Sequence, residues 1–244
     1  MARHERVIVD LGTGDGRAVL AAAAAQPRSL IIGVDANAAS MAEASRRAAR
    51  SAARGGVPNA LFVVAAAETP PPELAGLADE VRILFPWGSL LHGVLGLDDR
   101  AAAGIASLPR AGATISAILS ITDRDGIDGL GNVDRATLER QARAHRRFGL
   151  ELANARQASI DEVLATRSTW GRRLLAGAAD RPVWRLDLAR GPARDGRERD
   201  LRYDRSNGAP ARRVKLARDT MHPNHPRRPG ARPIRGDRSG RAGR

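Results

Sequence analysis

Short apolar runs alternate along the chain with longer segments in which apolar residues recur at helical spacing. The first run, Val7–Leu11, is apolar except at Asp10, a composition typical of a parallel strand that is buried on both faces. The whole pattern predicts strands over residues 7–11, 30–34, 60–65, 81–85, 113–121, 151–156 and 183–188, and helices over 15–26, 38–54, 133–148 and 160–178. Such alternation predicts an α/β protein, a mostly parallel sheet with helices on both faces.

The periodicity ends near residue 190, where Arg, Gly, Pro and Asp become dominant. From Arg190 onward the chain carries 17 Lys and Arg against 6 Asp and Glu, whereas the first 189 residues carry 23 against 21. The net charge of +13 therefore comes mainly from the carboxyl-terminal segment. We predict a globular domain over residues 1–189 and a basic, disordered tail over residues 190–244, because the tail has too few apolar residues to offset its chain entropy.

Several protein classes are disfavoured by what the sequence lacks. It has no cysteine, which excludes disulfides and thiolate metal sites. No run approaches the roughly 20 apolar residues of a membrane span, and the first residues show no apolar signal-peptide core. The histidines lack metal-ligand spacing. We therefore expect a cytoplasmic protein without a membrane span or a metal.

A glycine-rich turn follows the first predicted strand, in Asp10-Leu11-Gly12-Thr13-Gly14-Asp15-Gly16. Glycines permit a tight turn and let a ligand approach the backbone. Two further carboxylates, Asp35 and Glu68, follow the second and third predicted strands. Asp35 can accept hydrogen bonds from both ribose hydroxyls of a nucleotide-type ligand, and Glu68 stands where the adenine ring of that ligand would lie. Dinucleotide enzymes prefer G-x-G-x-x-G, so a nicotinamide enzyme is the weaker alternative. The plainer interpretation is a helix-capping turn with solvated carboxylates.

Two tryptophans stand where core packing does not require them. Trp87 follows Pro86 directly after the fourth predicted strand, and Trp170 lies among hydroxyls and arginines in Ser168-Thr169-Trp170-Gly171-Arg172-Arg173. Indole faces at a strand end can stack on a flipped base. The alternative for both is ordinary packing, which we predict for Trp184, since it lies in an apolar strand.

The chain resembles the Kam-type aminoglycoside-resistance methyltransferases, which modify N1 of adenine 1408 in 16S ribosomal RNA. Three motifs carry the resemblance, which extends from about Val7 to Leu188: Asp10–Gly16, Phe85–Leu91 and Ser168–Leu174. The resemblance implies a Rossmann-like class I methyltransferase fold with seven mostly parallel strands. It also implies S-adenosylmethionine as cofactor and the 30S subunit as partner. We expect a monomer, although no residue pattern indicates the oligomeric state.

The resemblance also assigns roles to residues. The target adenine is expected between Trp87 and Trp170, with Pro86 beside it, and the RNA against Thr169, Arg172 and Arg173. The predicted cofactor-binding residues are Asp10, Gly12, Gly14, Asp35, Ala36, Ala67, Glu68, Leu84 and Ser89. Two alternatives remain open: a methyltransferase that acts on another RNA base or a small molecule, and a non-catalytic RNA-binding factor on the same scaffold.

Overall fold

A computed structural model describes residues 4–122, 127, 130, 133–177 and 181–192 of the chain. Seven strands form one sheet in the order β3-β2-β1-β4-β5-β7-β6. Strand β7 runs antiparallel to both of its neighbours, whereas the other paired strands are parallel. The predicted seven-stranded, mostly parallel sheet is confirmed. The predicted tail lies outside the described residues from position 193 onward.

The seven predicted strands and the four predicted helices overlap observed ones, whereas the helices over residues 88–94 and 99–107 were not predicted. The strands are β1 (Arg6–Leu11), β2 (Ser29–Asp35), β3 (Ala60–Val64), β4 (Ala78–Leu84), β5 (Pro109–Leu119), β6 (Leu150–Gln157) and β7 (Trp184–Arg190). The helices are α1 (Arg17–Ala25), α2 (Ala38–Ala48), α3 (Gly88–Val94), α4 (Asp99–Ser107), α5 (Arg135–Ala142), α6 (Ile160–Ala165) and α7 (Thr169–Gly177). Short 3-10 turns occupy residues 52–54, 72–74 and 143–148.

Strand β1 is largely apolar because both of its faces are covered. In β1, Val9 and Leu11 pack into the large core on one face, whereas Ile8 packs with Val19 of α1 on the other. Successive side chains of a strand point to opposite faces, so a strand buried on both faces needs apolar residues throughout. Strand β4 differs, because Glu80 and Arg82 lie on one of its faces and pair with each other there.

Three predicted helices are shorter than expected, and the one over residues 133–148 is α-helical only at Arg135–Ala142. Helix α2 ends at Ala48 rather than at Arg54. The helix predicted over residues 160–178 is two helices, α6 and α7, separated at Thr166–Ser168. Arg167 adopts a left-handed φ of +55°, a conformation that ends a right-handed helix. The break redirects the chain, and α7 starts at the residue before Trp170.

Strand β4 ends one residue earlier than predicted, because Phe85 has a left-handed φ of +52°. Its backbone N–H still donates to the carbonyl of Ile118 on β5 at 2.7 Å. The following residues, Pro86 and Trp87, then leave the sheet and lead into α3, which begins at Gly88. A bulky residue in this region costs about 1–3 kcal/mol, and such conformations cluster at functional sites.

Candidate active site

The glycine turn after β1 is held against β2 by its backbone. The N–H groups of Gly12 and Thr13 both donate to the carbonyl of Val34, at 2.7 and 3.1 Å. Gly12 has a φ of +76°, and a Cβ there would lie 2.4 Å from the Leu90 side chain. Gly14 also has a positive φ, +58°, but nothing lies within 4 Å of where its Cβ would be. The turn is therefore packed on one side and open on the other.

Asp35, at the end of β2, joins this turn to the next helix. One carboxylate oxygen accepts from the N–H of Gly14 at 2.8 Å, and the other accepts from the N–H of Asn37 at 2.8 Å. Each oxygen can accept a further bond. The carboxylate is thus oriented by two backbone donors and retains lone pairs for a ligand.

Asp10, at the end of β1, is only 4% exposed. One of its oxygens accepts from the Thr13 hydroxyl at 3.0 Å, whereas the other is buried without a hydrogen-bond partner in the described part of the chain. Burial raises the pKa of Asp10 to about 6, against the lowering effects of the Thr13 hydrogen bond and the Arg82 charge. A buried acceptor without a donor is rare in folded proteins, and this one marks a place for a polar ligand.

The two predicted stacking residues are exposed. Trp87, the residue before α3, is 84% exposed, and Trp170 on α7 is 46% exposed. Trp170 stacks on Phe85, with 5.9 Å between ring centroids and 22° between planes. The Arg181 guanidinium lies over the Trp170 ring, 5.5 Å from its centroid. Trp184 is buried in the core, as predicted.

One large cleft of about 640 Å³, at the carboxyl ends of β1, β2, β3 and β4, brings these features together. Its lining includes both exposed tryptophans and every predicted site residue except Arg172: Asp10, Gly12, Gly14, Asp35, Ala36, Ala67, Glu68, Leu84, Pro86, Trp87, Ser89, Thr169, Trp170 and Arg173. Arg172 lies instead in a second cleft, because its side chain leaves α7 in a different direction from that of Arg173. Asp15 and Phe85 also line the large cleft, although neither was predicted as a site residue.

The charge of the large cleft selects among nucleotide-type ligands. Four carboxylates line it, from Asp10, Asp15, Asp35 and Glu68, against one guanidinium, from Arg173. A pyrophosphate would be repelled by this surface, whereas a cationic ligand would be attracted. This balance disfavours the nicotinamide alternative. Within the described residues, no cluster of three or more His, Asp or Glu is placed to hold a metal ion.

Comparison with known proteins identifies the family. Residues 1–187 match the sequence model of the NpmA family, described as 16S rRNA (adenine(1408)-N(1))-methyltransferase. The enzyme of that description from Streptoalloteichus tenebrarius is 34% identical over 178 residues, which cover 71% of this chain and 82% of the relative. The chain belongs to the 16S rRNA (adenine(1408)-N(1))-methyltransferase family.

Solved structures of family members agree. A mutant of the enzyme from Catenulisporales acidiphilia, crystallised with its cosubstrate S-adenosylmethionine, has a TM-score of 0.72 and 32% identity, covering 80% of this chain and 90% of the other. The aminoglycoside-resistance methyltransferase NpmB1 has a TM-score of 0.62 and 34% identity, covering 78% and 89%. The predicted family, fold and enzyme class, an S-adenosylmethionine-dependent rRNA methyltransferase, are confirmed.

The residues of the cleft fit such a cofactor. Asp10 offers an unpartnered oxygen, Asp35 offers oriented lone pairs, and the acidic lining complements a ligand that carries a sulfonium and an ammonium group. The roles of the individual residues remain predictions. No helix in the described part of the chain is long and apolar enough to cross a membrane.

The raised pKa of Asp10 predicts a stability cost in the cofactor-free protein. The pKa is about 6 in the folded chain against an ordinary value of 3.8, so the stability that Asp10 contributes below pH 3.8 is lost as the pH rises to about 6. A shift of two pKa units corresponds to about 3 kcal/mol. We expect Asp10→Asn to melt higher than the parent at pH 7.5, and the gap to shrink near pH 4, as measured by differential scanning calorimetry.

Calorimetric titration would examine the same variant for cofactor binding, which should weaken because the charge is lost. An Asp10→Asn protein that melts at or below the parent at pH 7.5 would contradict a buried, destabilised carboxylate.

Proposed function

We propose that the large cleft holds S-adenosylmethionine beside a flipped adenine and that the chain methylates N1 of adenine 1408 in 16S ribosomal RNA of the 30S subunit. This modification would give resistance to aminoglycosides. The observation that carries the proposal is the joint lining of one cleft by carboxylates at three strand ends and by two exposed indoles. A non-catalytic RNA-binding scaffold would need neither the unpartnered Asp10 oxygen nor the acidic lining.

The chemistry requires alignment more than acid–base catalysis. Bound S-adenosylmethionine supplies a methyl group on a positively charged sulfonium. Adenine N1 is largely unprotonated near neutral pH and has an in-plane lone pair, so the protein need only orient the ring. Trp87 and Trp170 provide the flat faces for this. An indole face also stabilises the positive charge that develops on the adenine, by about 1–2 kcal/mol in a desolvated site.

Phe85 contacts Trp170 and so helps to position the proposed stacking faces. Its ring stacks on Trp170, and a side chain at Gly171 would collide with it, since a Cβ there would lie 2.9 Å from Phe85 Cε2. The left-handed turn at Phe85 also leads the chain from the sheet towards Trp87. We propose that a backbone carbonyl in the Phe85–Trp87 turn accepts from the exocyclic amine of adenine, which guanine lacks at the corresponding position. One residue thus orients both tryptophan-bearing segments.

A second cleft, of about 580 Å³, extends the proposed RNA surface. Arg17 of α1, Arg167 and Arg172 line it together with Asp161, and all three arginines are exposed. Arg167 and Arg172 make no salt bridge within the described part of the chain. Free guanidiniums beside the target cleft suit the phosphates that flank a flipped base. The proposed role of Arg172 is therefore phosphate contact outside the cofactor cleft.

Salt dependence tests this surface. Each phosphate contact contributes somewhat less than one unit to the slope of log affinity against log salt. We expect Arg167→Ala with Arg172→Ala to lower the slope for 30S binding by about one to two units, measured by filter binding between 50 and 200 mM salt. Arg46→Ala, an exposed arginine that lines neither cleft, is the matched control. An unchanged slope in the double variant would contradict phosphate contact.

A primer-extension stop tests the function as a whole. Purified protein, S-adenosylmethionine and 30S subunits should give a stop at adenine 1408 that is absent without cofactor. Parallel reactions with labelled cofactor, protein-free 16S rRNA and small metabolites distinguish the alternatives. Label in metabolites or at another base, with no stop at adenine 1408, would overturn the assignment. A substrate within the ribosome implies a cytoplasmic enzyme, and we propose a monomer, which light scattering would check.

A further inference from the structure

A hydrogen bond joins the proposed cofactor loop to the helix that carries Trp170. The Thr169 hydroxyl donates to a carboxylate oxygen of Asp15 at 2.8 Å, between residues 154 positions apart in the chain. Asp15 lies in the glycine turn after β1, and Thr169 is the first residue of α7. Both residues line the large cleft. The bond therefore connects the two halves of the site directly.

On the loop side, the Asp15 carboxylate is held in place by its neighbours. Its other oxygen accepts from the backbone N–H of Arg17 at 3.1 Å, at the start of α1. Gly14, the preceding residue, donates its N–H to Asp35 at 2.8 Å. The position of the Asp15 carboxylate thus depends on the conformation of the Gly14–Gly16 turn. A ligand that contacts Gly14 and Asp35 acts on that same turn.

On the helix side, Thr169 is next to the stacking residue. The Ser168 hydroxyl accepts from the N–H of Gly171 at 3.3 Å, and Trp170 rests on Phe85. Helix α7 follows a break at which Arg167 is left-handed, so its first turn is not continuous with α6. The Asp15–Thr169 bond attaches that first turn of α7 to the glycine turn after β1.

We propose that Asp15 and Thr169 are a positioning pair that couples cofactor binding to the adenine clamp. A cofactor that contacts the glycine turn stabilises the conformation in which Asp15 holds Thr169, and Trp170 is thereby kept in the orientation that stacks on the target base. The inference rests on the proposed function for the identity of the base. Coupling of this kind is reciprocal, so the cofactor should tighten 30S binding through this bond.

The test compares 30S affinity with and without S-adenosylhomocysteine, the demethylated cofactor, which permits binding without turnover. In the parent protein we expect saturating S-adenosylhomocysteine to tighten 30S binding by about fivefold or more. Thr169→Val has nearly the same shape but no hydroxyl, and we expect its ratio to fall to about one. Thr169→Ser retains the hydroxyl and should restore the ratio. Asp15→Ala removes the acceptor, and we expect its affinity ratio to fall to about one as well. It replaces Thr169→Val in the test if that variant fails to fold.

A purely structural bond gives a different result. If Thr169→Val weakens 30S binding equally with and without S-adenosylhomocysteine, or if the parent shows no dependence on it, the proposal is overturned. Failure of the proposed function is separable, because it is scored by the primer-extension stop at adenine 1408. Cofactor-dependent 30S binding without that stop would overturn the target assignment while retaining the coupling. A stop at adenine 1408 without cofactor-dependent binding would retain the target assignment and overturn the coupling.

Discussion

Replacement of Trp87 by alanine should reduce methyl transfer to 30S subunits by about 100-fold or more and leave S-adenosylmethionine affinity within a few-fold of the parent. The side chain is 84% exposed, so its removal should not disturb the core. Stacking of one base on an aromatic ring is worth about 1–3 kcal/mol, and 1.4 kcal/mol corresponds to tenfold in rate. Loss of alignment at adenine N1 adds to the loss of stacking. Single-turnover kinetics and calorimetric titration measure the two quantities.

Two variants make the result specific. Trp87→Phe retains a smaller aromatic face and should recover part of the rate. Leu97→Ala removes another exposed apolar side chain that lines neither cleft, and should match the parent. An equal loss of methyl transfer and cofactor affinity in Trp87→Ala would show that the residue supports the cofactor rather than the base.

Replacement of Asp35 by alanine should weaken S-adenosylmethionine binding by about 100-fold. The carboxylate orders the turn through Gly14 and the start of α2 through Asn37, and its remaining lone pairs face the cleft, where they can accept from ribose hydroxyls. Hydrogen bonds to a charged group are worth about 1.5–3 kcal/mol each, and two of them account for an effect of this size. Isothermal titration calorimetry gives the affinity directly.

The matching controls separate binding from folding. Asp35→Asn retains one carbonyl acceptor and should fall between the parent and Asp35→Ala. Glu43→Ala removes an exposed carboxylate on α2 that pairs with Arg46, and should bind cofactor as the parent does. Unchanged cofactor affinity in Asp35→Ala, with a normal melting temperature, would remove Asp35 from the site.

The elements that could be predicted from sequence are those set by local rules. Buried parallel strands such as β1 and β2 require apolar runs, and the antiparallel β7 alternates buried apolar with polar residues, so all seven strands were found within a few residues. The turn around Gly12 needs glycine, because a Cβ there would collide with Leu90. Carboxylates that follow neighbouring parallel strands must meet at one edge of the sheet, and for this reason the placement of Asp35 and Glu68 beside the glycine turn was predictable. The motifs around Trp87 and Trp170 sufficed to indicate the family.

The remaining features depend on contacts between distant parts of the chain or on single backbone angles. Nothing in the spacing of α7 indicates that Arg173 faces the large cleft and Arg172 the second one, because the break at Arg167 sets the rotation of the helix. Left-handed Phe85 looks like an ordinary strand residue in sequence. The bond from Thr169 to Asp15 spans 154 positions, and only folding of the sheet brings those side chains together. Apolar patterning and glycine positions thus specify the scaffold, whereas side-chain directions at the site are decided by packing.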